Sequence, residues 1–152
     1  MAIRIAIGGD HAGVGYKEQL HQRLLALGYV VQDFGTETTA SVDYPDYVHP
    51  LSKALESGEF NFGIVICGSG NGIAMTVNKY PKVRAGLCWM KEIAILTRQH
   101  NNANVLSMGA RVVGEGLAEE ILSMFLSTPF EAGRHERRVA QLAEIEQQEA
   151  SN

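Results

Sequence analysis

Cysteine is scarce, with Cys67 and Cys88 the only two in 152 residues. Two thiols are too few for a disulfide scaffold, and neither has the close Cys/His spacing that builds a zinc site, so each is judged on its own surroundings. Long apolar runs are missing too. Met1 to Ile7 is a short stretch that contains Arg4 and gives way to Gly8, Gly9 and Asp10, which predicts neither a signal peptide nor a spanning helix and points to the cytosol. Positive charge is in the minority, 13 Lys and Arg against 17 Asp and Glu, and the resulting net charge of −4 predicts no general nucleic-acid binding. Repeats, low-complexity tracts and linkers are also absent, so residues 1–152 are expected to form one domain. What is present is ordinary: 45% hydrophobic and 20% charged residues exclude disordered, collagen-like and membrane classes and suffice for one core.

Short β-rich runs alternate with longer amphipathic ones, which predicts an α/β fold. Strands are expected at Ile3–Ile7, Tyr29–Phe34, Gly63–Cys67, Arg84–Cys88 and Asn104–Met108. Between them, Leu20, Leu24 and Leu27 share one helix face and Gly28 stops that helix. Pro45 sits in a tolerated first turn of a helix that closes near Gly58. Further helices are expected over Asn71–Tyr80, Lys91–His100 and Gly116–Leu126. A last one runs from Arg134 to about Gln148, with Val139, Leu142 and Ile145 along one stripe. Five strands joined this way should form a parallel sheet covered on both faces, with ligands beyond the strands' carboxyl ends. That rule selects Asp10 and His11, the glycine-rich segment after strand three, and the stretch near His100.

Cys67-Gly68-Ser69-Gly70-Asn71-Gly72 lies between a predicted strand and a predicted helix. Its glycines let several backbone N–H groups converge on an anion at the positive end of that helix. The spacing fits neither the dinucleotide fingerprint nor the triphosphate loop, and no metal or organic cofactor is expected. A thiol opening this loop stands where a helix N-terminus favours thiolate over thiol, the form that acts as a base. The competing reading of Cys67 is a buried strand residue. Cys88 has no such loop and reads as structural.

Other polar residues carry two readings each. Asp10 could cap a helix or contact a ligand, and His11 beside it could project into the crevice. His100 could serve chemistry or simply favour the negative end of its helix. Arg134 and Arg138, spaced i, i+4, could be a solvated face or, with Arg111, a set of forked donors for a phosphate dianion. Spacing assigns no role to the 37–42 loop or to Trp89 and Met90.

Gly9-Asp10-His11, Asp43-Tyr44-Pro45, the Cys67–Gly72 loop, Arg98-Gln99-His100-Asn101, Gly109-Ala110-Arg111-Val112-Val113 and Gly133-Arg134-His135 together closely resemble the ribose-5-phosphate isomerase B family, in its order and with its separations. That family includes galactose-6-phosphate isomerase subunits and isomerases of allose 6-phosphate. The resemblance implies a Rossmann-like three-layer sandwich with a five-stranded parallel sheet and an extended C-terminal helix. It implies a homodimer or tetramer with active sites shared between subunits, and a small phosphorylated sugar as substrate. It further implies Cys67 as enediol base, His100 in ring opening, and His11, Arg111, Arg134 and Arg138 on the phosphate. Asp10, Tyr44 and Asn101 match contacts to sugar hydroxyls. Ser69 stands where threonine is frequent and keeps the hydroxyl that assists proton movement. The backbone amides of Gly68, Gly70, Asn71 and Gly72 are expected to receive charge developing on the carbonyl oxygen. Two rivals remain from the residues alone: a sugar-phosphate binding module that does not need Cys67, and a receiver-like domain with Asp10 as phosphoacceptor, which lacks the usual acidic pair.

Overall fold

Period-two alternation of apolar residues sets the layers. In the computed structural model, which describes residues 1–152, the elements follow as β1 Arg4–Gly9, a 3-10 turn His11–Gly13, α1 Val14–Ala26, β2 Val30–Asp33, α2 Tyr44–Glu56 and β3 Phe62–Cys67. They continue as α3 Asn71–Val77, β4 Ala85–Leu87, α4 Lys91–Asn101, β5 Val105–Gly109, α5 Glu115–Ser127 and α6 Arg134–Ala150. The strands pair in parallel throughout, in the order β2-β1-β3-β5-β4. Ile5, Ile7, Ile64, Ile66, Leu106 and Met108 face one side, where Leu20 and Leu24 of α1, Ala94 of α4 and Phe125 of α5 cover them. Ala6, Val65, Cys67 and Val105 face the other, beneath Val48 and Leu51 of α2 and Ile73 and Val77 of α3. The result is the expected three-layer α/β sandwich. No helix is long and apolar enough to cross a membrane.

Several boundaries differ from expectation for local reasons. Leu27 does not extend the buried face of α1: it follows the helix end and is exposed, because Gly28 turns the chain away with φ of +87°. The helix expected to reach Tyr80 ends at Val77. Asn78 takes over there, its side chain accepting from the Ala85 N–H at 2.8 Å and donating to the Ala85 carbonyl at 3.1 Å, which draws the chain into β4. In α6 only His135 is buried. Its stripe joins neither core, since Leu142 and Ile145 are exposed.

Two leucines on α1 test this partition. Leu20→Ala, at a site 1% exposed, should lower unfolding free energy by about 3 kcal/mol in urea titration. Leu25→Ala, at a site 44% exposed, should stay within about 0.5 kcal/mol of wild type.

Candidate active site

At the carboxyl edge of the sheet, the register aligns Gly9 with Ile66 and Cys67 with Gly109. The loops leaving β1, β3 and β5 therefore start side by side, and backbone bonds join two of them: Ala110 N–H to the Cys67 carbonyl at 2.9 Å and Arg111 N–H to the Gly68 carbonyl at 3.0 Å. Gly70 adopts φ of +81°, a left-handed conformation that favours glycine. The buried Ser107 hydroxyl donates to its carbonyl at 2.7 Å. Gly72 lies so close beneath Tyr44 that a Cβ there would stand 2.5 Å from the phenol oxygen. Any larger residue would push Tyr44 off the loop.

This construction places the predicted residues as follows. Cys67 is buried, and its Sγ accepts a hydrogen bond from Gly70 N–H at 3.1 Å, a donor whose pull grows as charge builds on sulfur. Ser69 and Asn71 are exposed, and the Asn71 N–H donates to Ser69 Oγ at 3.2 Å. The expectation that all these amides face a substrate oxyanion is corrected. Gly70 and Asn71 are engaged within the loop, whereas the N–H groups of Gly68, Ser69 and Gly72 have no acceptor in the chain. The Arg111 guanidinium lies over Gly68, with Nη1 3.1 Å from the position a Cβ would take.

Asp10 is buried and accepts from the Ala12 N–H at 3.0 Å, so it does cap the turn after β1. His11 Nδ1 accepts from the Val42 N–H at 3.1 Å. The 35–43 loop that supplies Val42 is anchored at its start by Asp33. That carboxylate pairs with the buried Lys17 and accepts from the Gly35 N–H at 2.7 Å.

His100, Asn101, Arg134 and Arg138 are not part of this edge. Because α4 runs back from β4 to the start of β5, its last turn lies at the sheet's amino end. There Arg84 donates to the carbonyls of Asn101 and Asn102 at 3.0 and 3.1 Å. The same stretch meets the start of β3, where Gly63 N–H bonds the Asn104 carbonyl. Cys67 is level with Gly109 at the other end, and the five residues of β5 span roughly 16 Å at ~3.3 Å each. The reading that put His100 in the carboxyl-end crevice, with the three arginines gathered together, is therefore overturned within one chain. A helix connecting parallel strands must end opposite to them.

This second cluster has its own order. The His100 and His135 rings stack at 4.1 Å with 12° between planes. Glu131 Oε2 lies 3.6 Å from His100 Nε2 and 3.9 Å from His135 Nε2. Burial first, then His100, Arg134 and Arg138, holds the His135 pKa below the ordinary histidine value, against the opposing charge of Glu131. A cavity of about 380 Å³ opens beside them, lined by His100, Asn101, His135, Arg138, Val139 and Leu142. The sequence reading missed Glu131 and the site position of His135, which come together only through the turn at Ala132 and Gly133. It also missed Ser107, which no motif marks.

The ribose/galactose isomerase family pattern matches residues 5–142. The chain is 42% identical to ribose-5-phosphate isomerase B of Escherichia coli over 95% of its own length and 97% of that protein's. It is 35% identical to D-erythrulose-4-phosphate isomerase of Pectobacterium atrosepticum, with 97% of each covered. The solved structure of Clostridium thermocellum ribose-5-phosphate isomerase B superposes with a TM-score of 0.94 at 44% identity, covering 96% of this chain and 99% of that one.

The two thiols should differ in reactivity. Cys88 is fully buried, and desolvation pushes its thiol up to about 11 against a contact with Thr97. Iodoacetamide at neutral pH should therefore modify the native protein at Cys67 alone. Intact-mass measurement of Cys67→Ser should show no adduct; an adduct on Cys88 would contradict this assignment.

Proposed function

Since the chain belongs to the ribose/galactose isomerase family and is an aldose–ketose isomerase of sugar phosphates, we propose that it interconverts ribose 5-phosphate and ribulose 5-phosphate in the cytosol. We assign the work to a homodimer whose sites are shared. The observation that carries this reading is the division of the matched residues between opposite ends of one sheet. Cys67, Ser69, Asp10, His11, Tyr44 and Arg111 lie at the carboxyl edge, and His100, Asn101, Arg134 and Arg138 at the amino edge. One chain cannot close these halves onto one small sugar, whereas a two-fold pair of chains can complete two sites at once. The exposed stripe of α6 and the exposed Trp89 and Met90 offer apolar surface for such pairing. The pentose is favoured because enzymes named as ribose-5-phosphate isomerases recur among the similar proteins, at 35% to 44% identity, beside a tetrose-phosphate enzyme at 35%.

In this reading His100 of the partner subunit moves a proton from the anomeric hydroxyl to the ring oxygen, breaking the C1–O bond of the furanose and leaving a C1 aldehyde. The Cys67 thiolate removes the C2 proton. The C–H electron pair forms the C1–C2 double bond of an enediolate, with charge on O1 received by the free amides of Gly68, Ser69 and Gly72. Ser69 passes the O2 proton to O1 as the carbonyl forms at C2, and the Cys67 thiol returns its proton to C1. Atoms and electrons balance without an external oxidant or reductant. His11 and Arg111, with Arg134 and Arg138 of the partner subunit, hold the phosphate, so anchoring becomes orientation of the reacting end. Asp10, Tyr44 and the partner's Asn101 hold sugar hydroxyls.

Cys67→Ala should abolish exchange of the C2 proton with solvent while substrate still binds, as read by NMR in deuterated water and by calorimetry. His100→Ala should impair the cyclic substrate far more than an open-chain analogue. Mixing these two inactive variants under subunit exchange should restore about a quarter of wild-type turnover, because half of the dimers then carry one intact site of two. Absence of recovery in mixtures shown by mass spectrometry to contain heterodimers would refute the shared site.

A further inference from the structure

On β5, alternation turns Val105, Ser107 and Gly109 to the side covered by α2 and α3, where Val105 joins the apolar core. Ser107 puts the one hydroxyl on that face of the strand, and it is completely buried. A polar group sealed in an apolar layer is costly unless it is hydrogen-bonded, and the bond this one makes reaches across the fold. It donates to the Gly70 carbonyl at 2.7 Å, 37 residues away in sequence. Close packing of the loop on the strand enforces the contact. A Cβ at Gly70 would stand 2.9 Å from the Met108 carbonyl carbon, and one at Gly109 would stand 2.6 Å from the Ser69 carbonyl. Ser52 is the contrasting case. Equally buried, its hydroxyl donates to the Val48 carbonyl one turn back in its own helix at 2.7 Å, a bond that serves α2 alone.

The Gly70 carbonyl and the Asn71 N–H belong to one peptide group. Held at its oxygen by Ser107, and more loosely by the Ala74 N–H at 3.3 Å, that group sends its N–H to Ser69 Oγ at 3.2 Å. The preceding peptide sends the Gly70 N–H to Cys67 Sγ at 3.1 Å. The backbone freedom of glycine would otherwise leave both orientations open. From this geometry we infer that Ser107 is a positioning residue for isomerisation, fixing the Gly70–Asn71 peptide and through it the donors to Cys67 and Ser69. The N–H on sulfur favours thiolate over thiol. The N–H on Ser69 takes one lone pair of a hydroxyl that has two, leaving the other to receive the O2 proton while the serine's own proton goes to O1. Bonds in such a chain also strengthen one another, so the Ser107 hydroxyl strengthens the Asn71 donor as well as aiming it. The catalytic consequence rests on the roles proposed above for Cys67 and Ser69, while the loop geometry does not.

Ser107→Ala removes only the oxygen and leaves the Gly70 carbonyl its bond from Ala74; Ser52→Ala is the matched control, and both are checked for folding by circular dichroism. Alkylation of Cys67 by iodoacetamide, followed by peptide mapping, needs no turnover. In Ser107→Ala it should be about threefold slower than in wild type at neutral pH. At about pH 10.5 it should be no slower, since a thiol is ionised there without help and a more basic thiolate is the better nucleophile. Ser52→Ala should match wild type at both. Turnover of Ser107→Ala should fall about tenfold in kcat with KM within about twofold, the pattern of an interaction made in the transition state. In wild type itself, hydrogen exchange read by NMR should find the Gly70 and Asn71 amides protected and those of Ser69 and Gly72 exchanging freely. Equal alkylation of Ser107→Ala and wild type at neutral pH, slowing by the same factor at both pH values, the same change in Ser52→Ala, or unprotected Gly70 and Asn71 amides would each overturn the assignment. Slowed alkylation of Ser107→Ala, together with C2-proton exchange that persists in Cys67→Ala, would uphold Ser107 as the residue that sets the loop and refute Cys67 as the base.

Discussion

A helix that joins two parallel strands has to run back against them, and this constraint governs the whole molecule. It puts the end of every strand on one side and the end of every connecting helix on the other. Cys67, at the end of β3, and His100, at the end of α4, are thereby separated by the length of the strands. No loop rearrangement short of unfolding α4 could unite them in one chain. The two clusters are each well built where they stand, one on stitched strand ends and one on a stacked histidine pair, so neither is a misplaced fragment of the other.

The two ends are held by different physics. At the carboxyl edge the loop is shaped by backbone geometry, with a left-handed glycine, a carbonyl caught by a buried serine and an amide turned onto sulfur. At the amino edge guanidiniums do the holding. Arg98 lies over the Phe62 and Phe125 rings at 5.1 and 5.7 Å while donating to the carbonyls of Ala103 and Thr128. With Arg84 it places two positive groups at the negative end of α4, where the helix dipole favours them. Charge at that end is thus structural as well as available to a ligand.

The sequence made some of this readable and hid the rest, for identifiable reasons. Strands buried on both faces, such as Phe62–Cys67, announce themselves as continuous apolar runs. The glycine loop is legible because its conformation demands residues without side chains. Nearness to β5 in sequence hides the position of His100, because a residue that precedes a strand lies at its amino end, away from the crevice at the carboxyl ends. Glu131 and Ser107 could not be found from motifs, since their partners, a histidine pair and a loop carbonyl, are neighbours only after folding. The stripe on α6 was visible, but periodicity reports that a face is apolar and not what covers it.

The hydrogen bond from the Val42 amide to His11 has an effect that reaches past the loop it secures. An Nδ1 that accepts a bond carries no proton, so the neutral ring must bear its hydrogen on Nε2. The imidazole is polarised in one direction, a giver at its outer nitrogen and never a taker there. Seven residues of connecting chain, from Gly35 to Ser41, thereby select the tautomer of a side chain at the mouth of the cleft. Shortening that segment would change acid–base character without touching the histidine at all.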